Sequence, residues 1–180
     1  LYYFLIKSTI LQSFDQNRKV YKIKLFIMSL EQVLGNLQIQ TNGEGFINIT
    51  SSINSWIRLN GIEKGIINIT VLHTSCSITI NENADSRVLK DLSEYIKAIV
   101  PEEYFCSINN KNKKLHYTHS DEGIDDMPAH IKTALSNTCI NLSIENSEMI
   151  LGTWQAIYLW EHRYSRNIRN LCLHAIGNIG

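Results

Sequence analysis

The chain predicts an α+β domain, a mainly antiparallel and sandwich-like stack of short strands with a few helices. Three observations carry this reading. Apolar residues alternate in short runs, as in Ile67, Ile69, Val71 and His73, so one strand face is dry. Other segments repeat apolar residues at i, i+3 and i+4, as in Ile53, Trp56 and Ile57, which marks one stripe of a helix. The last third alternates again between tight turns, so its strands return antiparallel to one another.

The elements follow in order. Residues 36–41 alternate, with Leu37 and Ile39 on one face, and Asn42-Gly43 closes the run as a turn. Residues 46–49 form a second short strand. Thr50, Ser51 and Ser52 offer N-cap oxygens to the first helix, and Asn60-Gly61 ends it with a left-handed cap. Gly65 opens a strand over 66–73, and 77–80 continues as extended chain. Asp85 or Ser86 caps a helix with an apolar stripe of Val88, Leu89, Leu92, Ile96 and Ile99, which Pro101 ends. Residues 102–126 are polar and lack a regular pattern, the mark of a functional or mobile loop. Pro128 suits the first turn of a short helix capped by Asp126 or Met127, with Ile131, Ala134 and Leu135 facing inward. Strands over 138–144, 149–160 and 170–176 complete the domain, with a turn at Glu145-Asn146-Ser147.

Composition narrows the function. The chain has 180 residues, 44% of them hydrophobic, enough for one domain with its own core. Zero formal charge argues against a nucleic-acid surface, which needs a basic excess. No apolar run approaches the ~18 residues of a membrane helix. Cys76, Cys106, Cys139 and Cys172 form no CxxC pair, so reduced thiols in the cytoplasm are the expectation. Residues 1–27 stand apart, being apolar and then basic. They read as an extension outside the fold, with organelle targeting as the sharper alternative, and the domain is taken as 28–180.

His73, His119 and His130 come from a strand end, a loop and a helix start, 46 and 11 residues apart. Three such histidines could hold a divalent metal, zinc or magnesium, with a position open to water or substrate. Asp125 and Asp126 precede His130, where plain helix capping competes with a functional role. Arg163, Arg166 and Arg169 surround a turn, and guanidinium binds phosphate through paired hydrogen bonds.

Taken together, His73-Thr74-Ser75 with Asn81-Glu82-Asn83, Tyr117-Thr118-His119 with Asp125 through Lys132, and Leu151 through Gln155 with Glu161 and Arg166 form three motifs in order. In this order they resemble the YjbQ-type secondary thiamine-phosphate synthase family, from about Leu37 to Gly177. The resemblance implies a homotrimer with a polar pocket near the subunit boundaries. It also implies coupling of an aminopyrimidine diphosphate to a thiazole phosphate, a transferase activity regarded as secondary. The candidate catalytic set is then His73, Glu82, His119, His130, Gln155 and Arg166. Thr74, Ser75, Asn83, Asp125, Asp126, Trp154 and Glu161 would bind a small phosphorylated ligand. Two departures stand out: Ser75 replaces a second Thr, and His162 through Ser165 replaces an Asp-Gly-Pro turn before Arg166. The alternatives are a trimer that binds metal or a small ligand without turnover, and a hydrolase using metal-bound water.

Overall fold

The computed structural model describes residues 30–180, and the expectation for residues 1–27 lies outside them. Strands β1 (Glu31–Gln40), β10 (Ile168–Ile179), β3 (Ile62–Val71), β7 (Cys139–Glu145) and β8 (Glu148–Met149) form a five-stranded sheet in that order. Strands β2 (Gly45–Asn48), β9 (Gln155–Glu161) and β4 (Cys76–Glu82) form a second sheet, and β5 (Phe105–Ser107) pairs with β6 (Asn110–Leu115) as a hairpin. Every pairing is antiparallel. The described helices are α1 (Thr50–Leu59), α2 (Ser86–Ile99) and α3 (Asp126–Leu135), and none is long and apolar enough to cross a membrane.

The core lies between the two sheets. Ile67, Ile69 and Val71 of β3 join Leu171, Leu173 and Ala175 of β10 on one side. Ile78 of β4 and Ile157 and Leu159 of β9 meet them from the other, with Ile53 and Ile57 of α1 closing one end. Each such isoleucine or leucine contributes about 1.5–3 kcal/mol on burial. Alternation foretold Ile67, Ile69 and Val71, and helical spacing foretold Ile53 and Ile57.

Several details differ from the sequence reading. No Thr or Ser side chain caps α1; Asn48 Oδ1 accepts from Thr50 N at 3.0 Å, and Thr50 Oγ1 instead accepts from Ile157 N at 2.9 Å. Gly61 does take the left-handed cap, at φ 67°. Gly65 sits inside β3 rather than opening it, because Lys64 before it also pairs with Asn178 and Glu145; a Cβ at Gly65 would lie 2.2 Å from the Ile176 carbonyl and 2.7 Å from Gly177 Cα. The polar segment 102–126 contains the β5–β6 hairpin, most of whose residues face solvent, so no apolar period betrays it. The stretch expected as one strand over 149–160 breaks between Met149 and Gln155. In α3 the buried positions are Asp126, Pro128, Ala129, Lys132 and Thr133, whereas Ala134 and Leu135 are exposed. The inward face of α3 is partly charged, so hydrophobicity points to the wrong stripe. Lys132 is tolerated there because Nζ reaches Glu44 Oε1 at 3.1 Å.

Candidate functional site

His119 and His130 converge, and the residue they meet is Asp126. One donor atom from each of the three lies within 4.8 Å of the others. His119 Nε2 is 3.5 Å from Asp126 Oδ2, and His130 Nε2 is 3.4 Å from Asp126 Oδ1. The pairing of His130 with Asp126 follows from the helix: residues at i and i+4 share a face. His119 comes from the chain between β6 and α3, with its side chain 55% exposed, while that of Asp126 is 1% exposed. The cluster is therefore rooted in the protein and open to solvent on one side.

Hydrogen bonding shows which ring nitrogen of His130 donates to the protein. Its Nδ1 lies 2.9 Å from the Thr74 carbonyl oxygen, which only accepts, so Nδ1 carries the hydrogen. In the neutral ring, Nε2 then presents a lone pair to a carboxylate oxygen 3.4 Å away. Facing electron pairs call for a proton or a cation between them. Burial alone pushes the Asp126 pKa up, but the Glu122 amide, His119, Arg163 and His130 outweigh it and hold the carboxyl below its ordinary value. Two imidazoles and one ionised carboxylate suit zinc and related divalent ions. A tetrahedral ion with ligand bonds of ~2.1 Å sets its donors roughly 3.4 Å apart, close to the two separations seen.

His73 does not join this cluster. Its Nε2 accepts from Asn170 N at 2.8 Å, so that lone pair is spent. A neutral ring then carries its hydrogen on Nδ1, and the 3.4 Å approach of Arg169 Nη1 to Nδ1 is a charge contact rather than a hydrogen bond. Burial, then Arg169, lower the His73 pKa against the opposing pull of Glu161. His73, Thr74 and His130 do share a groove of about 530 Å³ with Thr133, Ser136 and Thr138. Ser75 is half-buried nearby.

Behind the cluster lies a set of buried charges. Glu161 is fully buried and accepts from Arg169 Nε at 2.6 Å, Arg169 Nη2 at 2.5 Å, Thr41 Oγ1 at 2.8 Å and Arg163 N at 3.0 Å. Asp125 accepts from Arg163 Nε at 3.1 Å and Tyr164 N at 2.8 Å. Both acids are buried, and the hydrogen bonds they accept come from protein groups. His162 Nε2 lies 2.8 Å from Ser77 Oγ, and burial, with Lys132 and Arg169, pulls its pKa down to about 3. Arg166 is exposed and forms no ion pair among the described residues. The arginines that matter structurally are Arg163 and Arg169. Sequence offered three arginines around one turn and no local period to rank them.

Glu82, Asn83, Trp154 and Gln155 gather elsewhere. Glu82 pairs with Gln155 at the far end of the β4–β9 ladder, and Asn83 Nδ2 donates to the Gln155 carbonyl at 3.2 Å. Gln155 Oε1 accepts from Gly152 N at 2.8 Å. With Ile80, Asn81 and Ala84, residues Glu82, Trp154 and Gln155 line a cavity of about 540 Å³, and Trp154 is 66% exposed. Six strand steps from Cys76 to Glu82 span roughly 20 Å, so this cavity and the histidine cluster lie at opposite ends of β4.

A family model described as UPF0047 protein YjbQ-like matches residues 35–178. A UPF0047 protein of Synechocystis is 39% identical over 143 residues, covering 79% of this chain and 90% of that protein. The UPF0047 protein YjbQ of Salmonella typhimurium is 37% identical over 122 residues, covering 66% of this chain and 79% of that protein. A solved YjbQ/UPF0047 protein from Clostridium acetobutylicum superposes with a TM-score of 0.63 at 28% identity, over 79% of this chain and 98% of that one. A YbjQ-like protein of unknown function from Sulfolobus solfataricus gives a TM-score of 0.70 at 19% identity, over 83% of this chain and 100% of that one, and supports the fold alone.

Proposed function

This chain belongs to the UPF0047 YjbQ-like family, and from that footing we propose that His119, Asp126 and His130 hold a divalent cation that helps to bind a small phosphorylated ligand. One observation carries the proposal: one donor atom each from His119, Asp126 and His130 converge within 4.8 Å, with the His130 Nε2 3.4 Å from one oxygen of the buried Asp126 carboxylate and the His119 Nε2 3.5 Å from the other. A divalent cation at that point would supply positive charge for a phosphate or a departing diphosphate. His130 is oriented by Thr74, and exposed His119 leaves a side for the ligand to enter. The reaction that the resemblance suggests is the joining of an aminopyrimidine diphosphate to a thiazole phosphate. The Trp154 indole offers a face on which a heterocycle can stack, and Glu82 and Gln155 offer polar atoms to its edge.

The two ends of β4 are too far apart in one chain for such a ligand to touch both. A homotrimer answers this, because a ring-forming interface joins unlike patches of neighbouring copies. The outer face of the five-stranded sheet supports self-association. Across it run Asn36, Cys172, Thr70 and Cys139 in one row and Leu34, His174, Asn68 and Asn141 in the next, with no Asp, Glu, Lys or Arg among them. Leu34, Ile66 and Ile176 lie exposed on the same face, and Lys64 pairs with Glu145 at its end.

The test is to measure metal content and product on one preparation. Purified protein is expected to retain about one zinc or other divalent ion per chain and to form thiamine phosphate from the two precursors. His119→Ala and Asp126→Asn lose the metal. Metal without turnover favours a binding protein; diphosphate release without coupling favours hydrolysis. Light scattering that gives a monomer mass counts against the trimer.

A further inference from the structure

We propose that Arg163 is the positioning residue of this cluster, holding the Asp126 carboxylate and the His119-bearing loop in the geometry a cation needs, a proposal that rests on the cation reading above. Arg163 sits two residues past the end of β9, 37 positions from Asp126 in sequence, and its side chain is only 9% exposed. Its guanidinium makes four contacts. Nη1 donates to Asp126 Oδ1 at 2.8 Å and to Glu122 Oε2 at 3.0 Å. Nε donates to Asp125 Oδ2 at 3.1 Å, and Nη2 donates to the Glu122 carbonyl at 3.0 Å.

Two of these contacts bear on the cluster directly. Asp126 has one oxygen toward each histidine, Oδ1 toward His130 and Oδ2 toward His119. That orientation fails if the carboxylate turns about its last side-chain bond. Arg163 pins Oδ1, and Glu122 N, at 3.3 Å, pins Oδ2. The Glu122 amide is itself held, because Arg163 bonds the carbonyl of the same residue. His119 precedes the Ser120–Gly123 turn that Glu122 belongs to, a turn closed by Gly123 N donating to Ser120 O at 3.2 Å. Hence one side chain fixes the carboxylate and the segment that delivers the exposed histidine.

Charge makes the same residue necessary. Glu122, Asp125 and Asp126 place three carboxylates within reach of one guanidinium. Without it, mutual repulsion would spread the start of α3 and its loop apart. Lysine retains the charge but offers its donors from a single point, so it cannot bridge Asp125, Asp126 and the Glu122 carbonyl together. Arg169 cannot substitute, since Glu161 takes its fork.

Arg163→Lys separates geometry from charge. Three readouts are compared with wild type: amide exchange of residues 117–127 in metal-free protein, Zn²⁺ affinity by competition with a coloured chelator, and the visible spectrum of bound Co²⁺. Exchange in 117–127 is expected to quicken at least tenfold while β3 and β10 stay protected. Zn²⁺ affinity falls at least tenfold and the Co²⁺ bands shift. Arg163→Ala behaves likewise, and millimolar guanidinium restores its Zn²⁺ affinity; this variant serves if Arg163→Lys is insoluble. A merely structural role quickens exchange throughout the domain and leaves the Co²⁺ spectrum of the folded fraction unchanged, which overturns the proposal. So does a variant with wild-type exchange and affinity. Wild-type protein that binds neither Zn²⁺ nor Co²⁺ overturns the cation reading and the proposal with it, a pattern distinct from a wild type that binds and a variant that binds equally well.

Discussion

Replacing Glu161 with glutamine tests whether that residue braces the fold or binds a ligand. The carboxylate is fully buried and accepts four hydrogen bonds, two of them from Arg169. Glutamine has nearly the same volume but only one accepting oxygen, and its NH₂ faces donors wherever it points. At least two of the four bonds are lost, and the Arg169 guanidinium keeps its charge in a dry site. Breaking one side of a buried pair costs about 3–5 kcal/mol. A domain of this size loses ~2–4 °C of Tm per kcal/mol, so Tm should drop on the order of 10 °C. Urea unfolding followed by circular dichroism measures the change directly. Adding Arg169→Met removes the stranded charge, so the double variant should lose less than the two single losses combined. A Glu161→Gln protein within about 1 kcal/mol of wild type that has lost its ligand would refute the bracing role and return Glu161 to the binding set.

Acid should destabilise the protein through His162. Burial with Lys132 and Arg169 lowers its folded pKa to about 3, below the unfolded value of ~6.5, so the unfolded chain takes up a proton first. The stability held above pH ~6.5 therefore declines as pH falls toward 3, by roughly 3 kcal/mol at pH 4, and His162→Gln should flatten that part of the urea-midpoint profile. Gly65→Ala forces a Cβ to within 2.2 Å of the Ile176 carbonyl. Its cost should be about 3 kcal/mol, the upper end for overpacking, read as loss of soluble protein or a lower urea midpoint, while a normal midpoint would mean that β3 and β10 can separate cheaply. Trp154→Ala should leave the urea midpoint within ~0.5 kcal/mol of wild type, because the ring is two-thirds exposed, yet weaken binding of a pyrimidine or thiazole phosphate in calorimetry.

By itself the sequence determined the dry face of the central strand β3 and several of the turns and caps. Ile67, Ile69 and Val71 alternate because a sheet has two faces, and that pattern needs no knowledge of the partner strand. Asp85 caps α2 through Arg87 N, and Gly61 ends α1, as their local chemistry required. The three motifs, read in order, already pointed to the family that the comparisons establish. Only the tertiary structure decided what meets what. Asp126 rather than His73 completes the pair of histidines, because the amide of Asn170, 97 residues away, has taken the His73 lone pair. Arg163 rather than Arg166 turns inward, because the acids that compensate its burial lie some 40 positions earlier. Lys132 sits inside α3 because Glu44, 88 residues away, is there to receive it. Periodicity reports how wet a face is; a buried charge is settled by its partner, and that partner can come from anywhere along the chain.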